Sequence, residues 1–188
     1  MQISKLQATA LQFFIATSNI TNIVEVGTFV GFSAFSMAKI LDSVNGKLTT
    51  IEINKDFHTQ AERNKDEYMR AFRDGKKVSV GGIERIEFIN DDAKRYFQEL
   101  IKTSSEIDMI FLDGDKENYG YYLDWSLKYL RPGSYLLIDN ALFKGGVVSE
   151  TGLYATSIRE MTRNLKKSKQ FDYFFLPVGD CMIVARKR

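Results

Sequence analysis

Near the start of the chain the apolar residues Ile3, Leu6, Leu11, Phe14 and Ile15 fall close to helical spacing and stop at the polar pair Ser18-Asn19. That pattern predicts an amphipathic opening helix. Short runs that are apolar almost throughout follow at residues 23–26, 48–53, 86–89, 107–112 and 135–138. Runs of this kind suit parallel strands covered on both faces. Between them, residues 33–41, 57–72, 93–101 and 121–130 carry helical patterns, the last closed by Arg131-Pro132-Gly133, where proline cannot extend the hydrogen-bond ladder. Strand alternating with helix is a βαβ series, hence an α/β fold with a mostly parallel sheet. After a polar helix around residues 158–167, the apolar runs 171–176 and 182–185 are joined only by Pro177-Val178-Gly179-Asp180. So short a link predicts an antiparallel hairpin, which completes seven strands. Residues 73–82, polar and glycine-rich, read as a loop, and no repeat or interdomain linker interrupts the series.

Composition narrows the chemistry. A chain of 188 residues with 44% hydrophobic and 27% charged residues fits one globular domain. The formal charge of +2 supplies no field for gathering nucleic acid. Lys166-Lys167, Lys169 and Arg186-Lys187-Arg188 are basic clusters without interleaved aromatics, and read as solvated ends. The N-terminus lacks a basic start followed by an apolar core, and no stretch approaches the roughly 18–20 apolar residues that span a bilayer. The expectation is a cytoplasmic protein with neither membrane nor nucleic acid as partner. With a single cysteine, Cys181, and a single histidine, His58, there is no intramolecular disulfide and no Cys/His zinc set, and Ser-His-Asp or Cys-His catalysis is disfavoured. His58 reads as a surface histidine, and Cys181 as a core thiol opening an apolar edge strand. Chemistry must therefore run on carboxylates, amides, lysines, tyrosines or a cofactor.

In an open parallel sheet, ligands bind beyond the carboxyl ends of the strands. The first such turn is Glu25-Val26-Gly27-Thr28-Phe29-Val30-Gly31-Phe32-Ser33. Gly27 and Gly31 allow a sharp turn and close approach to a ligand, and the helix that follows offers free N–H groups to an anion such as a carboxylate. The G-x-G-x-x-G pattern is absent, because Thr28 and Phe29 follow Gly27, which disfavours a nicotinamide dinucleotide. Glu52, ending the second strand, is placed to accept hydrogen bonds from ribose hydroxyls, so turn and acid together indicate an adenosine cofactor. The structural alternative is that the glycines merely permit a turn and Glu52 is a solvated acid; their ordered combination argues against it. The fourth and fifth strands end in Asp113-Gly114-Asp115-Lys116 and Asp139-Asn140. Asp113, Asp139 and Asn140 could supply three hard oxygen donors suited to Mg²⁺, Mn²⁺ or Ca²⁺. Alternatively, Asp113 and Asp115 cap the next helix and Asp139-Asn140 make a turn. Lys116 could act as a base beside a metal-bound hydroxyl, against the plainer alternative of an exposed, ion-paired lysine.

On these residues the sequence resembles the class I S-adenosylmethionine-dependent methyltransferases, and within them the cation-dependent O-methyltransferases of the caffeoyl-CoA and catechol type. The resemblance runs from about Gln2 to the end, through VEVGTFVGFSAFSMA, IEIN, FLDGDKENYGYY, LRPGSYLLIDN and LPVGDCMIVARKR in family order. It implies a Rossmann-like, seven-stranded, mostly parallel sheet with helices on both faces and an antiparallel C-terminal hairpin strand. It also implies that Glu25, Gly27 and Gly31 form the cofactor loop, that Ser33 holds the methionine carboxylate and Glu52 the ribose, and that Asp92 and Ala93 flank the adenine. Asp115 falls where the family contacts adenine or substrate. Asp113, Asp139 and Asn140 match the divalent-metal ligands, with Asp113 also near the cofactor's amino group, and Lys116 matches the lysine that assists deprotonation of the acceptor. The implied activity is methyl transfer from S-adenosylmethionine to a hydroxyl of a small catechol-like or phenolic acceptor, with Mg²⁺ first and Mn²⁺ or Ca²⁺ as alternatives. A homodimer is also implied. A second reading is an S-adenosylmethionine-binding protein with little or no turnover, acting as an assembly partner. Family members carry a further helical stretch ahead of the equivalent of Gln2, which covers the cofactor. The expectation here is one domain over residues 1–188 with those lid helices short or absent, and a connection at 73–82 longer than the family's.

Overall fold

The computed structural model describes residues 2–74, 81–103, 105–149 and 152–188; most of the predicted loop at 73–82 lies outside them. The chain forms two compact units, residues 1–93 and 94–188. In the first, helix α1 (Lys5–Thr17) starts where Ser4 and Gln7 cap one another reciprocally, and its Leu11 and Ile15 are fully buried. Strand β1 (Asn22–Val26), helix α2 (Phe32–Leu41), strand β2 (Lys47–Glu52), helix α3 (Lys55–Arg73) and strand β3 (Ile86–Asn90) follow. β1 and β3 each pair in parallel with β2, and the register sets Val26 opposite Ile51 and Glu52 opposite Asn90. Helix α3 begins two residues before its predicted start, because Asn54 Oδ1 accepts the backbone N–H groups of Asp56 and Phe57.

The second unit carries helix α4, whose range is Ala93–Thr103, strand β4 (Met109–Leu112), helix α5 (Tyr119–Tyr129) behind a 3₁₀ turn at Lys116–Asn118, and strand β5 (Tyr135–Ile138). A short helix α6 (Gly146–Ser149), helix α7 (Leu153–Ser168) and strands β6 (Phe171–Leu176) and β7 (Met182–Lys187) complete it. β4 is shorter than the predicted 107–112, although Ile107 and Asp108 remain tied to Ser134 and Tyr135 by hydrogen bonds. Its core is aromatic: Phe97 meets Trp125 edge-on at 4.8 Å, and the Trp125 indole donates to the Phe97 carbonyl at 3.1 Å. β5 is parallel to β4 and antiparallel to β7, and β7 is antiparallel to β6.

The strand order is β3-β2-β1-β4-β5-β7-β6, the expected seven-stranded, mostly parallel α/β arrangement with a C-terminal antiparallel hairpin. Three readings need correction. β7 lies between β5 and β6, so the edge strand is β6, and Cys181 stands in the turn before β7 with φ +64°. Lys187 is not a solvated end: it is only 7% exposed, and its Nζ donates to the Leu127 carbonyl at 2.6 Å and to Gln170 Oε1 at 2.7 Å. The side chain of His58 is 14% exposed, so it is not a surface histidine; it faces Glu62 one turn along α3. Among the described residues no helix is long and apolar enough to cross a membrane.

Candidate active site

The first unit builds a cradle at the carboxyl ends of β1 and β2. Gly27 turns the chain with φ +100° and donates to the Ile51 carbonyl at 2.9 Å, which holds the loop against the end of β2. Gly31, at φ +91°, is the N-cap of α2 and provides no side chain to cap it. The positive φ favours glycine, and a Cβ there would come within 2.7 Å of the Phe35 ring, which would have to shift. The first turn of α2, with the buried Ser33 in it, therefore lacks a side-chain cap, and an uncapped helix N-terminus is a favourable place for an anion.

Two carboxylates frame this loop. Glu52 is anchored at both oxygens, Oε2 accepting the Phe29 N–H at 2.8 Å and Oε1 the Asn54 N–H at 2.9 Å. Each oxygen keeps a second lone pair, the arrangement a vicinal diol requires of its acceptor. Glu25 is 0% exposed, and its Oε2 accepts the Thr50 hydroxyl at 2.5 Å, while its Oε1 has no hydrogen-bond partner. Burial pushes the Glu25 carboxyl up to about 7, against the lowering effect of the nearby Ser33 hydroxyl and of the Thr50 hydrogen bond. Asp92 and Ala93 follow β3, where Asn90 Nδ2 and the Asp91 N–H both donate to the Glu52 carbonyl, so this turn is tied to the acid that ends β2.

In the second unit, the β4–β5 register sets Leu112 opposite Ile138, and therefore Asp113 and Asp139 leave the sheet side by side. Asp139 is buried and donates its N–H to the Leu112 carbonyl at 2.9 Å. Asn140, also buried, adopts φ +57°, and its Oδ1 is a second buried acceptor without a partner. Lys116 Nζ donates to the Asp113 carbonyl at 2.9 Å and lies 3.7 Å from Asp113 Oδ1. The fully buried Tyr119 beneath it donates to the Leu112 carbonyl at 3.3 Å. Burial raises the Tyr119 phenol well above the usual tyrosine range, and the negative charges of Asp113 and Asp139 add to the effect. Asp115 is engaged structurally, accepting from Asn118 Nδ2 at 2.7 Å and from the Tyr122 hydroxyl at 2.6 Å.

Glu25, Gly27, Gly31, Ser33 and Glu52 therefore gather in one cradle, and Asp113, Lys116, Asp139 and Asn140 gather at the ends of β4 and β5. Among the described residues no set of three His, Cys, Asp or Glu side chains is arranged to hold a metal; the donor set here is two carboxylates and an amide. The sequence reading missed Thr28, Thr50 and Ile53. Thr50 stands two residues before Glu52 on the same face of β2, a period-two signal open to reading. Ile53 follows Glu52 directly and is 72% exposed, an apolar side chain left out beside the anchored carboxylate.

The sequence profile of a family described as O-methyltransferase matches residues 1–188. The tapetum-specific methyltransferase 1 of Arabidopsis thaliana is 28% identical over 186 residues, covering 94% of this chain and 74% of that protein. The catechol O-methyltransferase of Niastella koreensis is 29% identical over 151 residues, covering 80% of this chain and 62% of that protein. In structure, the O-methyltransferase of Bacillus cereus, solved in complex with SAH, superposes with a TM-score of 0.83 at 26% identity, covering 100% of this chain and 83% of that one. The chain belongs to the O-methyltransferase family.

Proposed function

We propose that this protein transfers a methyl group from S-adenosylmethionine to one hydroxyl of a small phenolic acceptor carrying vicinal oxygens, with the help of a divalent cation. The observation that carries the reading is the cradle at the end of β1, where a buried carboxylate keeps one oxygen partnerless beside a helix N-terminus that lacks its cap. That pair suits a zwitterionic amino-acid end, ammonium toward Glu25 and carboxylate toward Ser33 and the first turn of α2. Glu52 suits the ribose diol, and Ile53 with Asp92 and Ala93 offers apolar and polar surroundings for the adenine. The SAH held by the Bacillus cereus relative supports the same donor.

The metal assignment rests on the second unit. Asp113 and Asp139 end adjacent strands and Asn140 presents a buried Oδ1 that the protein leaves unpartnered, so the residues fit a hard cation. Bound there, the cation would lower the pKa of an acceptor hydroxyl and orient it by its neighbouring oxygen. Lys116, held at Asp113, assists removal of the acceptor proton, and Glu25, Ser33 and Glu52 hold the donor still for in-line attack. The scaffold needs neither histidine nor thiol for this. The test is Asp139→Ala: metal-stimulated turnover should disappear while S-adenosylmethionine binding, measured by calorimetry, stays close to wild type. A variant that retains full, chelator-sensitive turnover would contradict the ligand set.

A further inference from the structure

Three hydroxyl and carboxyl side chains behind the cradle form a directed chain. Thr50 Oγ1 lies 2.5 Å from Glu25 Oε2 and 2.6 Å from Thr28 Oγ1, and all three residues are buried. A threonine hydroxyl has one proton to give. When Glu25 is ionised, Thr50 gives its proton to that carboxylate, and Thr28 is then the donor to Thr50. The relay runs from the turn after β1, through β2, to Glu25 on β1, and it fixes one carboxylate oxygen while leaving Oε1 without a protein partner. A buried acceptor left in this state is costly until a donor arrives.

We infer that Thr50, with Thr28 behind it, is a positioning residue for the donor's amino-acid end: it clamps Glu25 Oε2 so that Oε1 is presented to the cationic amino group. The inference rests on S-adenosylmethionine being the donor. It separates the two ends of that molecule, because the hydrogen bonds that anchor the Glu52 carboxylate come from the Phe29 and Asn54 backbone N–H groups and not from the relay side chains. A second signature lies in pH. The groups acting on Glu25 are the hydroxyls of Ser33 on α2 and Thr50 on β2, which lower its pKa, and the charge of Glu52 on β2, which raises it along with burial. Removing the Thr50 hydroxyl takes a hydrogen bond from the charged form alone, so the acid limb of donor binding moves to higher pH.

The experiment compares full-length wild type, Thr50→Val and Thr50→Ser by calorimetric titration with S-adenosylhomocysteine and with 5′-methylthioadenosine, which lacks the amino-acid end. Titrations span about pH 5.5 to 9, the range in which a raised carboxyl and an α-amino group both ionise. Thr50→Val should weaken S-adenosylhomocysteine binding about tenfold, as loss of a hydrogen bond to a charged group does. It should also shift the acid limb upward and leave 5′-methylthioadenosine affinity unchanged. Thr50→Ser should restore both affinity and pH profile. Equal affinity of Thr50→Val and wild type for S-adenosylhomocysteine would overturn the inference, as would equal losses for both ligands, which would mark a structural role. A wild type that binds neither ligand would overturn the donor assignment itself, and the inference with it.

Discussion

Glu25 concentrates the physical chemistry of the cradle. Its carboxyl is fully buried, and burial pushes it up to about 7 from the 4.5 of a free glutamate, so folding favours its protonated form. Without a ligand, the stabilisation from this group is complete below about pH 4.5, is lost as pH rises through about 7, and is absent above, a span of about 3 kcal/mol. Glu25→Gln removes the titration. Thermal unfolding of the ligand-free variant should show a higher Tm than wild type at pH 8 and a flatter dependence on pH, together with weakened S-adenosylhomocysteine binding. Parallel pH profiles for the two proteins would show that Glu25 is not the buried acid. At this scale the sequence was informative wherever chemistry constrains the backbone, as at Gly27, Gly31 and Glu52. It was uninformative where burial depends on residues distant in the chain. Lys187 looks like part of a basic tail, yet its ammonium is held by Leu127 and Gln170 and lies 5.2 Å from the centroid of the Phe171 ring. Asp113 and Asp139 can be read together because both end strands of one parallel sheet at its carboxyl edge; that the two strands are neighbours is set by tertiary pairing.

Helix α2 forgoes a side-chain cap at a cost in its own stability. Its N-cap is a glycine at φ +91°, where Ser, Thr, Asp or Asn would have capped the first turn. Gly31→Ala places a Cβ in the left-handed region and within 2.7 Å of Phe35 Cε2. The substitution should lower stability by about 1–3 kcal/mol, since left-handed backbone and local repacking act together. Donor binding should weaken as well, because the first turn of α2 would shift. Chemical denaturation beside calorimetric titration checks both effects, and a fully stable variant with unchanged affinity would contradict this account of the turn. Element type was readable from periodicity almost throughout, whereas boundaries were set by caps and turns. Asn54 starts α3 ahead of its apolar pattern, and Lys116–Asn118 form a 3₁₀ turn before α5. Helix α6 is one turn with no buried residue, so no hydrophobic period announced it.

For the molecule as a whole, the alternation of apolar runs with amphipathic stretches was enough to indicate an α/β fold, because parallel strands require crossover helices. The place of the last strand was less accessible: a link of five residues, 177–181, declares a hairpin but not which of its strands enters the sheet. Burial settles it, since β7 is covered along most of its length while β6 exposes Phe174 and Phe175. The central claim is that this scaffold moves a methyl group from S-adenosylmethionine to a phenolic oxygen with a divalent cation at Asp113, Asp139 and Asn140. The most direct measurement is transfer of isotopically labelled methyl from S-adenosylmethionine to a panel of small catechols, with Mg²⁺ and with chelator. The account predicts labelled O-methyl product that falls to background with chelator and returns when Mg²⁺ is restored. Donor binding with no methyl transfer to any catechol under either condition would contradict it.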